Sequence, residues 1–352
     1  MNNLVAHSGI SVSAERSKSL ANMSFVCAVL IVYLHTGCAA QNEIVLGFLH
    51  KAIVALCRVA IPWFFLASGF FLARRMGEDG WWYNAVTKRI RTLLIPFWIW
   101  GTAIFLVHVL IALLIKLFGY EYHGANELAW VSIGGVLRVV GLDYAGNMPT
   151  MWYMRTLFIL VMLSPLISIA KSAAVIFFGS AYLLFSVLSS QVVEPWSYIL
   201  EYLISLRGLL YFSLGIYIFS HQEVMGAIAK KILVGASGIL FFIFNLLYGD
   251  GRGGVFDVLM VPGLIVIVYY VVKQTRIPTI LTNFSFAIYV THAMIAYCLS
   301  AIYGVIGVGG VGKTFFVFGL IRFIVALSLS MILTSVLRWA CPRFAKLAFG
   351  GR

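Results

Sequence analysis

Apolar residues run along this chain in long blocks, separated by short polar or glycine-containing stretches. A helix needs about 20 apolar residues to cross a bilayer. Ten spans can be drawn on that pattern: about 20–38, 52–72, 93–115, 150–170, 173–190, 203–220, 230–248, 254–272, 283–303 and 315–337. The longest stretch outside them, 116–149, is too short for a globular domain. The first span is read as retained, not as a cleaved signal, because polar groups interrupt it and the segment before it has no apolar core. The prediction is an all-α, polytopic membrane helical bundle of about ten transmembrane helices. It forms one domain over 1–352, with short cytoplasmic segments at 1–19 and 338–352.

Composition narrows the class. The chain is 62% hydrophobic and 11% charged, with a mean hydropathy of +0.99, which excludes an ordinary soluble domain. A net charge of +13 would suit a nucleic-acid partner, but topology accounts for it better. With the N-terminus placed in the cytoplasm, sixteen of the 25 lysines and arginines fall in inside segments, six in outside segments and three within spans. That asymmetry follows the positive-inside rule and predicts that both termini are cytoplasmic. No nucleic-acid partner is expected. The five cysteines lie in or beside apolar spans without paired spacing, so neither a disulfide framework nor a zinc site is expected.

Candidate chemistry lies where polar groups break the apolar blocks. Arg58 sits in the second span, and a charge at that depth costs about 2.5–3.5 kcal/mol unless it is solvated or paired. It lies few residues in, so its head could also reach the interface by snorkelling. His35 lies near the outer end of the first span, where an imidazole can act as general base or simply hydrogen-bond at headgroup level. Arg58 enters from the same outer side, so the connection 39–51 would allow the two to stand side by side. An arginine there would favour the neutral, basic imidazole or stabilise an oxyanion.

The connection 73–92 carries Arg74, Arg75, Lys88, Arg89 and Arg91 beside Trp81, Trp82 and Tyr83. That suits an interfacial helix on anionic lipid or a mouth gripping a phosphorylated donor. Arg155 follows Trp152-Tyr153 in the fourth span, and His292 lies near the middle of the ninth. A mid-span histidine is expected to face a cavity or another helix. Arg322, in the tenth span, can pair with an acid or a carbonyl. Residues 307–314, ending in Gly312-Lys313-Thr314, satisfy G-x-x-x-x-G-K-T. A P-loop needs a strand before it and a helix after it in an α/β domain. Here the pattern joins two spans on the outer face, so it is read as a flexible turn.

These residues together resemble the acyltransferase 3 family of integral-membrane enzymes, which includes O-acetylases of bacterial surface polysaccharides. The resemblance rests on Val32-Tyr33-Leu34-His35 closing the first span and on Arg58-Val59-Ala60-Ile61-Pro62-Trp63 leading to Ser68-Gly69-Phe70. It continues with Lys88-Arg89-Ile90-Arg91 before Pro96, Trp152-Tyr153 with Ser164-Pro165-Leu166, and Ser285 to Ile288-Tyr289 and His292. Ser24 and Ala21 stand where the family usually carries an arginine and an aspartate, and Thr150 where it carries a polar residue, often histidine. The donor-holding role of the family arginine would then pass to Lys18 or Arg16, or be lost.

The resemblance implies a multi-pass protein of the bacterial cytoplasmic (inner) membrane and an acyl-CoA donor, acetyl-CoA being the expected one. It implies a hydroxyl acceptor on a surface or lipid-linked glycan, surrounding membrane lipid, and no bound cofactor or metal. His35 would be the general base and Arg58 the oxyanion stabiliser. Lys88, Arg89 and Arg91 would hold the CoA phosphates. Trp152, Tyr153, Arg155 and His292 would bind substrate. A transporter or flippase of a lipid-linked sugar fits ten spans with buried arginines as well, but no inverted repeat is visible. A divergent family member without catalysis is the other alternative.

Overall fold

A computed structural model of the chain describes residues 14–37, 44–118, 151–188, 199–221, 228–248, 255–305 and 313–351. The elements are α1 (Ala14–Thr36), α2 (Ile44–Cys57), α3 (Ala60–Ala73), α4 (Trp81–Arg89), α5 (Ile95–Phe118), α6 (Trp152–Leu188), α7 (Leu206–Ser220), α8 (Ile228–Tyr248), α9 (Val255–Gln274), α10 (Thr279–Thr282), α11 (Ser285–Val305), α12 (Lys313–Ala340) and α13 (Pro342–Ala348). Single π turns, Ile90–Leu94 and Ile199–Leu203, precede α5 and lie just before α7. The described residues contain no strand. In lipid the backbone must satisfy its own hydrogen bonds, and an all-helical chain does so within each segment.

Nine described helical segments are long and apolar enough to span a membrane. They match nine of the ten spans expected from sequence. The tenth, 173–190, corresponds to the shorter apolar stretch Ser172–Leu188, which is continuous with the fourth in α6. A straight helix of that length would reach about 55 Å, far beyond a hydrocarbon core of about 30 Å. It is not straight. Thr156, near its start, bonds the carbonyl of Tyr202. Gly179, far along it, approaches Leu210, and Tyr182 lies within electrostatic reach of Arg207. On a straight helix positions 156 and 182 would stand about 39 Å apart, yet their partners are neighbours in sequence. The bend has a cause: Pro165 lies inside the helix, while Ser164 and Ser168 donate back to Val161 and Pro165 carbonyls at 2.7 Å. Proline and serine back-bonding both bend helices.

The chain divides into two compact units, each assembled from separated stretches. The first takes Met1–Cys27, Arg58–Ile90 and Thr156–Asn283. Its helices approach closely at glycines. A Cβ on Gly69 would strike the Phe212 carbonyl, and one on Gly215 the Leu66 carbonyl, so α3 and α7 pack backbone to backbone. Gly238 of α8 and Gly263 of α9 meet in the same way. Without a hydrophobic drive in lipid, helices associate by such close packing. Asn22 of α1 donates to the Thr275 carbonyl at 3.2 Å, and the Trp63 indole donates to Ser24 at 3.4 Å. Ser24 thus serves packing at the place where the family usually has arginine.

The second unit takes Ala28–Cys57, Arg91–Arg155 and Phe284–Arg352. Here α11 packs against α12 and α5, and α13 folds back on α5. The Trp100 indole donates to the Ala348 carbonyl at 2.9 Å and lies 5.7 Å from the Phe349 ring. Arg338 sits over the rings of Phe284 and Phe349 at 5.3 and 5.9 Å. Gly350 adopts φ +65° against the Thr92 backbone, where a Cβ would not fit.

Within each unit, contacts join residues that a ten-crossing alternation puts on the same side. Asn22 meets Thr275, Lys231 meets Tyr270, Arg58 meets Asp257, Thr36 meets Arg322, and Phe284 meets Arg338. The bend in α6 keeps that alternation intact.

Candidate functional site

In the second unit α1 ends at Thr36, with Gly37 donating to the Tyr33 carbonyl at 2.7 Å. His35 falls in that last turn and is half-buried. The end of the helix is held from outside. Arg322 of α12 donates through Nε to the Thr36 carbonyl at 2.9 Å and through Nη1 to Ser300 of α11 at 3.1 Å. Of the partners left open for Arg322 by the sequence, the carbonyl is the one found. It answers an orphan C-terminal carbonyl of α1, which has no partner within its own helix.

His292 lies in α11 and is 0% exposed. Its Nδ1 sits 3.0 and 2.8 Å from the carbonyls of Ile288 and Tyr289. Carbonyls only accept, so Nδ1 carries the proton and Nε2 the lone pair. That Nε2 is buried without a hydrogen-bond partner. The His35 ring lies 5.4 Å from the His292 ring, tilted by 38°. Tyr289 stands between His292 (6.2 Å) and Tyr153 (5.7 Å, edge-on). Trp152 and Tyr153 are buried at the start of α6, and Arg155 is half-buried one turn on. His35, His292, Tyr153, Trp152, Arg155 and Arg322, all singled out in the sequence, belong to this unit, and ring contacts link the first three through Tyr289. A further histidine, His108 of α5, stacks on Tyr297 at 3.5 Å.

In the first unit Arg58 occupies the turn between α2 and α3. Its Nε bonds Asp257 Oδ2 of α9 at 2.8 Å, with the two side chains 17% and 2% exposed. Arg207, Tyr182 and Tyr211 lie within electrostatic reach of Asp257. The arginine is paired, as the energetics of a buried charge require. The sequence placed Arg58 towards the outer end of its span but named no partner for it. His35 lies beside His292 in the second unit, and Arg58 pairs with Asp257 in the first.

Lys88 and Arg89 close α4, exposed and half-buried respectively, and Arg91 is exposed in the π turn that follows. Gly80, at φ +65°, starts α4, and Trp82 anchors it by donating to the Met162 carbonyl at 3.2 Å. Lys88 and Arg89 belong to the first unit and Arg91 to the second. Lys18 is exposed, whereas Thr150, the side chain of Arg16 and residues 306–312 of the glycine motif lie outside the described residues. Among the described residues Cys57, Cys298 and Cys341 are free thiols. Among the described residues no three His, Cys, Asp or Glu side chains are grouped to hold a metal ion.

The described residues form membrane-spanning helices, with the half-buried His35 beside the buried His292. The acyltransferase domain family, Acyl_transf_3, matches residues 19–338, so the chain belongs to that family and is an acyltransferase. It is also 28% identical over 120 residues to the succinoglycan biosynthesis protein ExoH of Rhizobium meliloti (strain 1021). That stretch is 34% of this chain and 31% of ExoH, so the similarity spans about a third of either protein. No solved structure matches the chain.

Proposed function

We propose that this protein is a membrane O-acyltransferase that moves an acyl group from cytosolic acyl-CoA, with acetyl-CoA the first candidate, to a hydroxyl of a surface or lipid-linked glycan. Family membership supports acyl transfer, and the name of the ExoH relative supports a polysaccharide setting. The observation that carries the reading is His35, partly accessible and beside the buried His292.

His35 takes the proton of the acceptor hydroxyl as general base. The hydroxyl oxygen bonds the thioester carbonyl carbon, the C–S bond breaks, and the departing thiolate receives that proton from the imidazolium. The thioester is already activated. Arg58 is the candidate for the developing oxyanion. Its guanidinium is held by Asp257, and a fixed charge is what transition-state stabilisation requires. Lys88, Arg89 and Arg91 bind the CoA phosphates, and Trp152, Tyr153 and Arg155 form part of the acceptor site. The reaction belongs to the cytoplasmic membrane, with both termini on the cytosolic side.

The test is transfer of label from acetyl-CoA to glycan in proteoliposomes of wild-type protein and His35→Ala. The expected result is incorporation by the wild type and none by the variant at equal protein level. Movement of unmodified sugar across the bilayer without label would identify a transporter instead, and full activity of His35→Ala would remove the base assignment.

A further inference from the structure

The second unit contains no Asp or Glu among its described residues. A histidine acting as base usually has a carboxylate behind it, which fixes the tautomer and steadies the imidazolium. No carboxylate of the described residues of this unit can take that part. What does stand there is the imidazole of His292.

Three features of His292 mark it as the substitute. Its Nδ1–H is shared between the Ile288 and Tyr289 carbonyls, which locks the ring and its tautomer. Its Nε2 is a hydrogen-bond acceptor, fully buried and without a donor. Leaving such a group unmet is costly, and an orphan of this kind in a folded protein calls for an explanation. Finally, the His35 ring lies at 5.4 Å between centroids, a separation at which two imidazoles can share an N–H···N bond after a small turn of either ring. The roles are not interchangeable. His292 is fully buried with one nitrogen committed to backbone, so of the two rings only His35 is open to a substrate hydroxyl.

We infer that His292 is the positioning residue of His35: its Nε2 accepts an N–H from His35, so the other His35 nitrogen presents its lone pair to the acceptor hydroxyl. The inference rests on His35 being the base. The proton shared with His292 stays on His35 through the reaction. Only the substrate-facing nitrogen gains a proton and later loses it to the thiolate. A neutral imidazole does the orienting part of a carboxylate's work without its charge.

The experiment compares His35→Ala, His292→Phe and His292→Gln in proteoliposomes, reading kcat and both KM values. Phe keeps the ring volume and removes the acceptor, whereas the Gln carbonyl can accept where Nε2 did. His292→Phe should lose about 100-fold in kcat, the scale of one misplaced proton-transfer group, with both KM values unchanged. His292→Gln should recover most of the loss. Wild-type kcat in His292→Phe beside an inactive His35→Ala overturns the inference and leaves His35 as base. So does a raised acceptor KM in both His292 variants, which assigns His292 to acceptor binding. Activity in His35→Ala removes the base reading itself. If His292→Phe does not fold, His292→Gln decides: retention within about tenfold of wild-type kcat supports positioning, and a loss near 100-fold overturns it.

Discussion

Arg58 and Asp257, on helices α3's leading turn and α9, share a 2.8 Å ion pair although 199 residues separate them in sequence. Breaking one side of a buried pair costs about 3–5 kcal/mol, whereas replacing both sides by apolar groups is often neutral. Asp257→Leu should therefore lower the thermal midpoint in detergent strongly, and the double variant Arg58→Met/Asp257→Leu should recover most of it. Equal midpoints for wild type and Asp257→Leu would show that the pair carries no structural weight. The folded double variant also isolates the chemical role of Arg58, since it should remain slow in acyl transfer.

Gly69 leaves no room for a side chain against the Phe212 carbonyl. Gly69→Leu should force α3 and α7 apart at a cost of at least about 1–3 kcal/mol, read as lower yield of folded protein in gentle detergent. Gly77 has open space around it, so Gly77→Ala is the control and should behave as wild type. A well-folded Gly69→Leu would contradict the close packing.

Arg322 fixes the end of the helix that bears His35 through the Thr36 carbonyl. Arg322→Gln should reduce kcat about tenfold or more, as expected when a reacting group is misplaced, while donor KM stays constant. Unaltered turnover would mean that α1 holds its end without this bond.

Replacing Lys88, Arg89 and Arg91 together by Gln should raise the KM for acyl-CoA with little change in acceptor KM. Screening should act on the same term, so added salt weakens donor binding in the wild type more than in the triple variant. An unchanged donor KM would place the CoA phosphates elsewhere.

The C-terminal helix α13 is tied to α5 by Trp100 and Ala348. Trp100→Phe removes the indole donor and keeps most of the ring contact with Phe349. It should release the segment 342–351 to faster proteolysis, at a stability cost of about 1 kcal/mol. An unchanged cleavage rate would show that ring packing alone holds the segment.

The sequence by itself determined the class of fold. Apolar blocks of membrane-spanning length and the bias of Lys and Arg between alternate connections are local quantities, and lipid leaves an apolar block little choice but a helix. It also marked Arg58, His35, His292 and Arg322 as polar groups that interrupt apolar spans. It failed where a helix continued through an expected break. Ser164-Pro165 and Ser168 bend α6 without ending it, because intrahelical hydrogen bonds resume beyond the proline. Partnership was decided only by the tertiary structure. Hydrophobic pattern says how deep a residue lies but not which way its helix is rotated or which helix is its neighbour. Backbone contact at glycines such as Gly69 and Gly215, set by close packing between distant segments, fixes those choices. That is why Asp257 for Arg58, the Thr36 carbonyl for Arg322, and His292 for His35 became visible only in three dimensions.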